Sequence, residues 1–232
     1  MGAFTSAENG ESKRASPEAK SLNILVIGAS QGTGALTVRT ALDRGHRVTA
    51  FARSPQKLVL DHPQLKKVTG DFHQAASLEA AVPGHDAVIV TASANSLRAF
   101  KENPRYFSQG TGYTIAAMKM AGLRRLAVLS ALGVGESRPL LNPIVRALTV
   151  GWLLKAPFED HERQEEQVRA SGLDWVIARP GRLSNRQARG RYVKKTAIGS
   201  VPSSISRGDV ADFLVDACEV PTWVGHAVQL GG

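Results

Sequence analysis

The strongest constraint on this chain is a junction near its start. An unbroken apolar run, Asn23-Ile-Leu-Val-Ile27, passes directly into Gly28-Ala-Ser-Gln-Gly32-Thr-Gly34. A run without polar alternation reads as a strand covered on both faces. Helical spacing follows from Thr33 to Arg44, with Gly45 as the stop. Strand, glycine turn and helix start, in that order, form the context in which a glycine motif points to phosphate binding. Gly28 permits the sharp turn, Gly32 lets the backbone approach a pyrophosphate, and Gly34 lets the helix lie close to the strand. Ser30, Gln31 and Thr33 stand between these glycines, where free N–H groups and the positive helix end face the phosphates. A plain strand-to-helix turn with packing glycines is the competing interpretation.

Strands and helices then alternate. Arg47–Ala52, Lys67–Thr69, Asp86–Thr91, Arg125–Ser130, Leu173–Ala178 and His226–Leu230 read as strands. Leu78–Val82, Arg105–Met120, Glu159–Ala170 and Asp209–Ala217 read as helices, the second and third stopped by Gly122 and Gly172. This alternation implies right-handed βαβ units. The expected fold is α/β: a single Rossmann-type, doubly wound parallel sheet, order 3-2-1-4-5-6-7, with helices on both faces. Residues 1–21 show no apolar period and read as a disordered leader, leaving 22–232 as one domain. Pro139 to Phe158 is strongly apolar, with Leu148, Val150, Trp152 and Leu153 among its residues. An insertion at about 136–158 is expected to wall a lipophilic substrate pocket. A dimer or partner surface is the alternative.

The end of the second strand bears on the cofactor. A site for NAD usually places Asp or Glu there for the ribose 2′-hydroxyl. This chain has Phe51-Ala-Arg53-Ser54-Pro-Gln-Lys57 and no carboxylate. Arg53 suits a 2′-phosphate, with Ser54 and Lys57 as further donors, so NADP(H) is expected. Solvated surface charge is the plainer alternative. Asp71-Phe72 follows the third strand, where a polar–apolar pair can grip adenine, and Thr91-Ala92-Ser93 follows the fourth, beside the crevice.

Charge needs a separate account. There are 29 Lys and Arg against 20 Asp and Glu, a net +9. Arg179, Arg182, Arg186, Arg189, Arg191, Lys194 and Lys195 fall in one stretch without an acid. Such a field attracts anions: a phosphorylated cofactor, an acidic substrate, nucleic acid or an anionic surface. A soluble basic face explains it equally well. Tyr192 is the only aromatic in that stretch, so nucleic acid is not expected. The single cysteine, Cys218, excludes an intrachain disulfide and fits a cytoplasmic protein. No run reaches the roughly 18 apolar residues of a membrane span, and the histidines have no metal-ligand spacing.

The chain resembles the NAD(P)H-binding, NmrA-like branch of the atypical short-chain dehydrogenase/reductases, and most of all its biliverdin-IXβ reductase (flavin reductase) members. The likeness rests on Gly28–Gly34, Val48–Arg53, Gly70–Phe72, Gly84–Val90, Ile115–Lys119, Ser171–Gly181 and Ile205–Ala211. It implies NADPH-dependent reduction of a small substrate, planar and anionic in character, by a monomer or homodimer. Ser130 matches the family's active-site serine, His161 a histidine of the biliverdin-IXβ reductase pattern, and Arg182 the place of another histidine there. Pro180 matches a residue beside the cofactor. The resemblance thus implies a hydroxyl donor and a general acid, while Arg182 departs from it: an arginine cannot exchange a proton but can pin a carboxylate or enolate. The Tyr-x-x-x-Lys pair of ordinary members is missing: counting from Glu166, its positions fall at Phe158 and Glu162. A non-catalytic NADP-sensing regulator, or an isomerase or epimerase using bound NADP, therefore stays open.

Overall fold

A computed structural model of the protein describes residues 21–93, 98–141, 143–148 and 154–232, without the side chains of Arg98, Val145, Arg146 and Leu148. The leader expected at 1–21 lies outside the described residues save Ser21. So do Val150, Trp152 and Leu153, which belong to the expected pocket wall.

Strand β1 (Asn23–Ile27) leads into helix α1 (Gly32–Asp43), and β2 (Arg47–Ala52) follows. Then come β3 (Leu65–Thr69), α2 (Ala75–Ala81), β4 (Ala87–Val90), α3 (Arg98–Glu102) and α4 (Tyr106–Met120). Next are β5 (Arg125–Leu129), α5 (Pro143–Leu148), α6 (Lys155–Arg169) and β6 (Asp174–Pro180). The chain closes with β7 (Arg182–Ser184), β8 (Val193–Lys195), β9 (Ser204–Ser206), α7 (Arg207–Glu219) and β10 (His226–Gly231).

The sheet has the order β3-β2-β1-β4-β5-β6-β10-β8, and β7 pairs separately with β9. The first seven strands are parallel and in the expected order. The eighth strand was not expected. It pairs antiparallel with β10, from Gln229 opposite Lys195 to Gly231 opposite Val193. Basic residues at an exposed sheet edge discourage further strand addition, so this edge strand looks charged rather than apolar in sequence.

Alternate strand residues feed two cores, one on each face. Ile24, Val26, Val48, Ala50, Ile89, Val176 and Val228 pack with Val38 and Leu42 of α1 and Phe213 and Leu214 of α7. Leu25, Ile27, Phe51, Val88, Leu126 and Ile177 pack with Leu78 of α2, Ile115 and Met118 of α4, and Val168 of α6. Both faces of β1 are therefore dry, which is why its sequence lacks alternation.

Of the boundaries that moved, two have a physical reason in the sequence. Helix α6 starts at Lys155 rather than Glu159, because Pro157 falls in its first turn, where a missing N–H costs nothing. Strand β6 runs on through Arg179 to Pro180, because Arg179 is buried against carboxylates and does not end the strand. No helix among the described residues is long and apolar enough to cross a membrane.

Candidate active site

Strand order reverses between β1 and β4, and a crevice of about 450 Å³ opens there. Such a switch point at the carboxyl ends of parallel strands is where open α/β sheets hold ligands. The glycine turn forms one wall. Gly28 has φ +85, and its N–H donates to the Phe51 carbonyl at 2.9 Å. A Cβ at Gly28 would meet the Ala92 backbone at 2.8 Å. At Gly34 it would collide with the Gly28 carbonyl and lie 2.6 Å from Thr91 Oγ1, so α1 sits against the strand only with glycine there.

The start of α1 is open. Gln31 is its N-cap and makes no side-chain capping bond. The first intrahelical acceptor, the Gln31 carbonyl, takes the Ala35 N–H at 3.3 Å. The N–H groups of Gly32, Thr33 and Gly34 precede it, in the turn that has no intrahelical partner. A diphosphate fits this place: the donors are uncommitted, the dipole favours negative charge, and Gly28, Gly32 and Gly34 bring no Cβ atoms into the cradle.

The crevice brings together many of the residues expected around a cofactor. Gly28, Ser30 and Gln31 face Arg53, Ser54 and Lys57, with Asp71, Phe72, Ala92 and Ser93 between them. Phe72 is a buried pillar whose ring packs where a Cβ at Gly110 of α4 would be. Gly70 makes room for the Phe51 ring in the same way. Thr33, Thr91 and Pro180 are buried and lie outside the crevice lining. The Thr91 hydroxyl donates to the Ile27 carbonyl at 2.9 Å, tying β4 to β1.

His73 and Tyr106 line the crevice and were not expected. His73 Nε2–H donates to the Tyr106 carbonyl at 2.9 Å, and the two rings meet edge-on with centroids 4.4 Å apart. Burial raises the Tyr106 phenol above its ordinary pKa, against the pull of Arg53. His73 could have been found as the residue after Asp71-Phe72. Tyr106 read only as part of a long helix, and its place depends on how α4 docks.

The three residues expected to be catalytic are not brought together. Ser130 lies just past β5 and is 5% exposed. Its hydroxyl donates to Glu165 Oε1 at 2.6 Å. Arg179, 1% exposed, also serves Glu165: Nε donates to Oε1 at 2.9 Å, and Nη2 pairs with Oε2. Nη2 also reaches Glu136 Oε2 at 2.9 Å, and Arg169 reaches Glu136 Oε1 at 2.9 Å. Burial opposes the charge of Arg179, but these carboxylates outweigh it and raise its pKa. The Arg179 hydrogen bond in turn lowers Glu136 to about 2. The inward glutamate is Glu165, while Glu166 is exposed and Glu162 pairs with Arg138 at 3.0 Å.

His161 lies in the seam between α4 and α6. Its ring stacks on Phe107 at 3.9 Å, and Nδ1 bonds Gln164 Oε1 at 2.8 Å. Burial lowers its pKa, so the ring is neutral at neutral pH. Arg182 is exposed on β7, and its N–H donates to the Ser203 carbonyl at 2.8 Å. The basic stretch is partly neutralised as well. Arg179 is enclosed by glutamates, and Lys194 pairs with Asp216 of α7 at 2.6 Å.

A family model described as NAD(P)H-binding matches residues 28–221. The chain is 29% identical over 228 residues to an uncharacterised chloroplastic protein of Arabidopsis thaliana, covering 92% of this chain and 78% of that one. It is 26% identical over 212 residues to an uncharacterised sugar epimerase of Bacillus subtilis, covering 90% and 94%. A 3β-hydroxysteroid dehydrogenase/Δ5→4-isomerase of Mycobacterium tuberculosis is 34% identical over 119 residues, 48% of this chain and 32% of that protein. Among solved structures, an anaerobilin reductase of Escherichia coli O157:H7 has a TM-score of 0.75 at 23% identity, covering 90% and 96%. A short-chain dehydrogenase/reductase of Veillonella parvula in complex with NADP has a TM-score of 0.75 at 18% identity, covering 90% and 94%.

Proposed function

Because this chain belongs to the NAD(P)H-binding family, we propose that it is an NADPH-dependent reductase of a small conjugated or carbonyl substrate, flavin- or tetrapyrrole-like in shape. The observation that carries this is the crevice wall after β2, where Arg53, Ser54 and Lys57 line the cavity and the segment Arg53–Lys57 holds no carboxylate to accept from a 2′-hydroxyl. The E. coli fold neighbour, named as an anaerobilin reductase, supports the substrate class. When bound, the dihydronicotinamide supplies a hydride. Arg53 and Lys57 hold the 2′-phosphate, and the N–H groups at the start of α1 hold the diphosphate. Ser130 stabilises the charge that develops on the reacting oxygen, exchanging Glu165 for the substrate while Glu165 stays with Arg179. His161, neutral and stacked, positions α6 against α4 and does not transfer a proton.

Equilibrium titration and NADPH consumption with flavins, quinones and enones test this reading. NADPH should bind more tightly than NADH, and Arg53→Asp should weaken NADPH by about ten- to a hundredfold. An unchanged affinity would remove the assignment of β2. Ser130→Ala should lower kcat with the fold intact. The second reading is an epimerase or isomerase, favoured by the names of the Bacillus and Mycobacterium relatives. Isomerisation without net NADPH loss would select it. Tight NADPH binding with no turnover of any substrate would point to an NADP sensor.

A further inference from the structure

Arg207 stands where two helix N-termini meet. Helix α1 leaves β1 and α7 leads back into β10, and the two helices pack side by side. Both begin at the carboxyl edge of the sheet, so both present positive ends there. Arg207 is the first residue of α7, and its Nε lies 3.8 Å from where a Cβ on Gly32 would be. Its Nη1 donates to Asn185 Oδ1 at 2.7 Å, which holds the guanidinium over the glycine turn.

Among the described residues, no carboxylate neutralises this arrangement, and none lies within ion-pair distance of Arg207. Asp209, the one acid in the first turn of α7, is occupied elsewhere. It accepts from the Ser206 hydroxyl at 2.7 Å and from the N–H groups of Arg189 at 3.0 Å and Gly190 at 2.9 Å. A guanidinium beside two positive helix ends is unfavourable until an anion sits among them.

We propose that Arg207 is a diphosphate-binding residue, closing over the anion at the glycine turn from the α7 side. Asn185 acts as its positioning residue. The inference rests on the reading of the crevice as an NADP(H) site. It adds a third cation to that site, serving a different phosphate from Arg53 and Lys57.

The test uses two ligands that share a 2′-phosphate but not a diphosphate: NADPH and adenosine 2′-monophosphate. Binding is measured calorimetrically on the full chain, with circular dichroism as the check on folding. Arg207→Met should weaken NADPH by about tenfold or more and leave adenosine 2′-monophosphate within about twofold. Arg207→Lys should recover part of the NADPH affinity, since charge returns without the fork. Arg53→Met should weaken both ligands. NADPH affinity untouched in Arg207→Met, or an equal loss for both ligands, would overturn the proposal while leaving the cofactor reading standing. If the wild type bound neither ligand, the cofactor reading would fail, and the role of Arg207 with it.

Discussion

Glu165 shows how much one buried side chain organises. It accepts from Ser130 and Arg179 and lies 3.7 Å from Arg169. Replacing it with Gln leaves Arg179, 1% exposed, without its main counter-charge. Breaking a buried pair from one side costs about 3–5 kcal/mol. Urea unfolding of Glu165→Gln should show a loss of that order. The double variant Glu165→Leu/Arg179→Met should lose less than the two singles added together, because no charge is stranded. Glu136 makes a separate, pH-dependent contribution. Its carboxyl is held down to about 2 in the folded protein by Arg179, below the ordinary 4.5. The folded state therefore binds fewer protons than the unfolded one in that window. The stabilisation is present above the ordinary value and is lost as pH falls from 4.5 toward 2. Glu136→Gln should flatten this part of the acid limb in a thermal-melt series. Glu136 was legible only as a charged residue in a loop, since its partner is 43 positions away.

At the level of elements, the α4–α6 seam carries the polar contacts that fix the back of the crevice. Asp160, 0% exposed, accepts the Phe107 N–H at 2.5 Å and the Ser108 hydroxyl at 2.5 Å, so α6 caps the start of α4. Gln164 adds a bond to Thr111 Oγ1 at 2.8 Å. Tyr106 heads the same helix, so this cap also sets the aromatic edge of the crevice. Asp160→Ala should destabilise the fold by about 1–2 kcal/mol, as lost N-caps do. It should also weaken NADPH binding through Tyr106, which paired denaturation and titration would detect. The sequence showed both helices by their period. It did not show that one caps the other, because Asp160 and Phe107 lie 53 residues apart and neither carries a local capping signature.

For the whole molecule, the +9 charge divides into parts with different roles. Arg53 and Lys57 line the crevice, whereas Arg179 and Lys194 are paired with acids. The remaining excess should steer an anionic cofactor, so the association rate for NADPH should fall as salt rises. Stopped-flow quenching across an ionic-strength series measures this, and a flat response would deny the field any part in capture. Ligand linkage gives a second readout. NADPH at about 100 times its Kd should add roughly 2.7 kcal/mol to stability. At equal concentration it should raise Tm more than NADH does, by thermal shift.

The sequence by itself determined the seven parallel strands, their order and which residues follow β1, β2 and β3 at the crevice. That information is local: dry strands lack alternation, glycines are required where Cβ atoms would clash, and the residues after β2 and β3 follow their strands directly. Tertiary structure alone decided the rest. Ser130 found Glu165 and Arg179, His161 found Phe107, and Arg207 came to Gly32 from the other end of the chain. Each of these depends on how helices dock across the sheet, which no spacing within a single segment encodes. A titratable side chain thus advertises its chemistry in sequence, while its partners, and so its protonation and role, are fixed only when the layers pack.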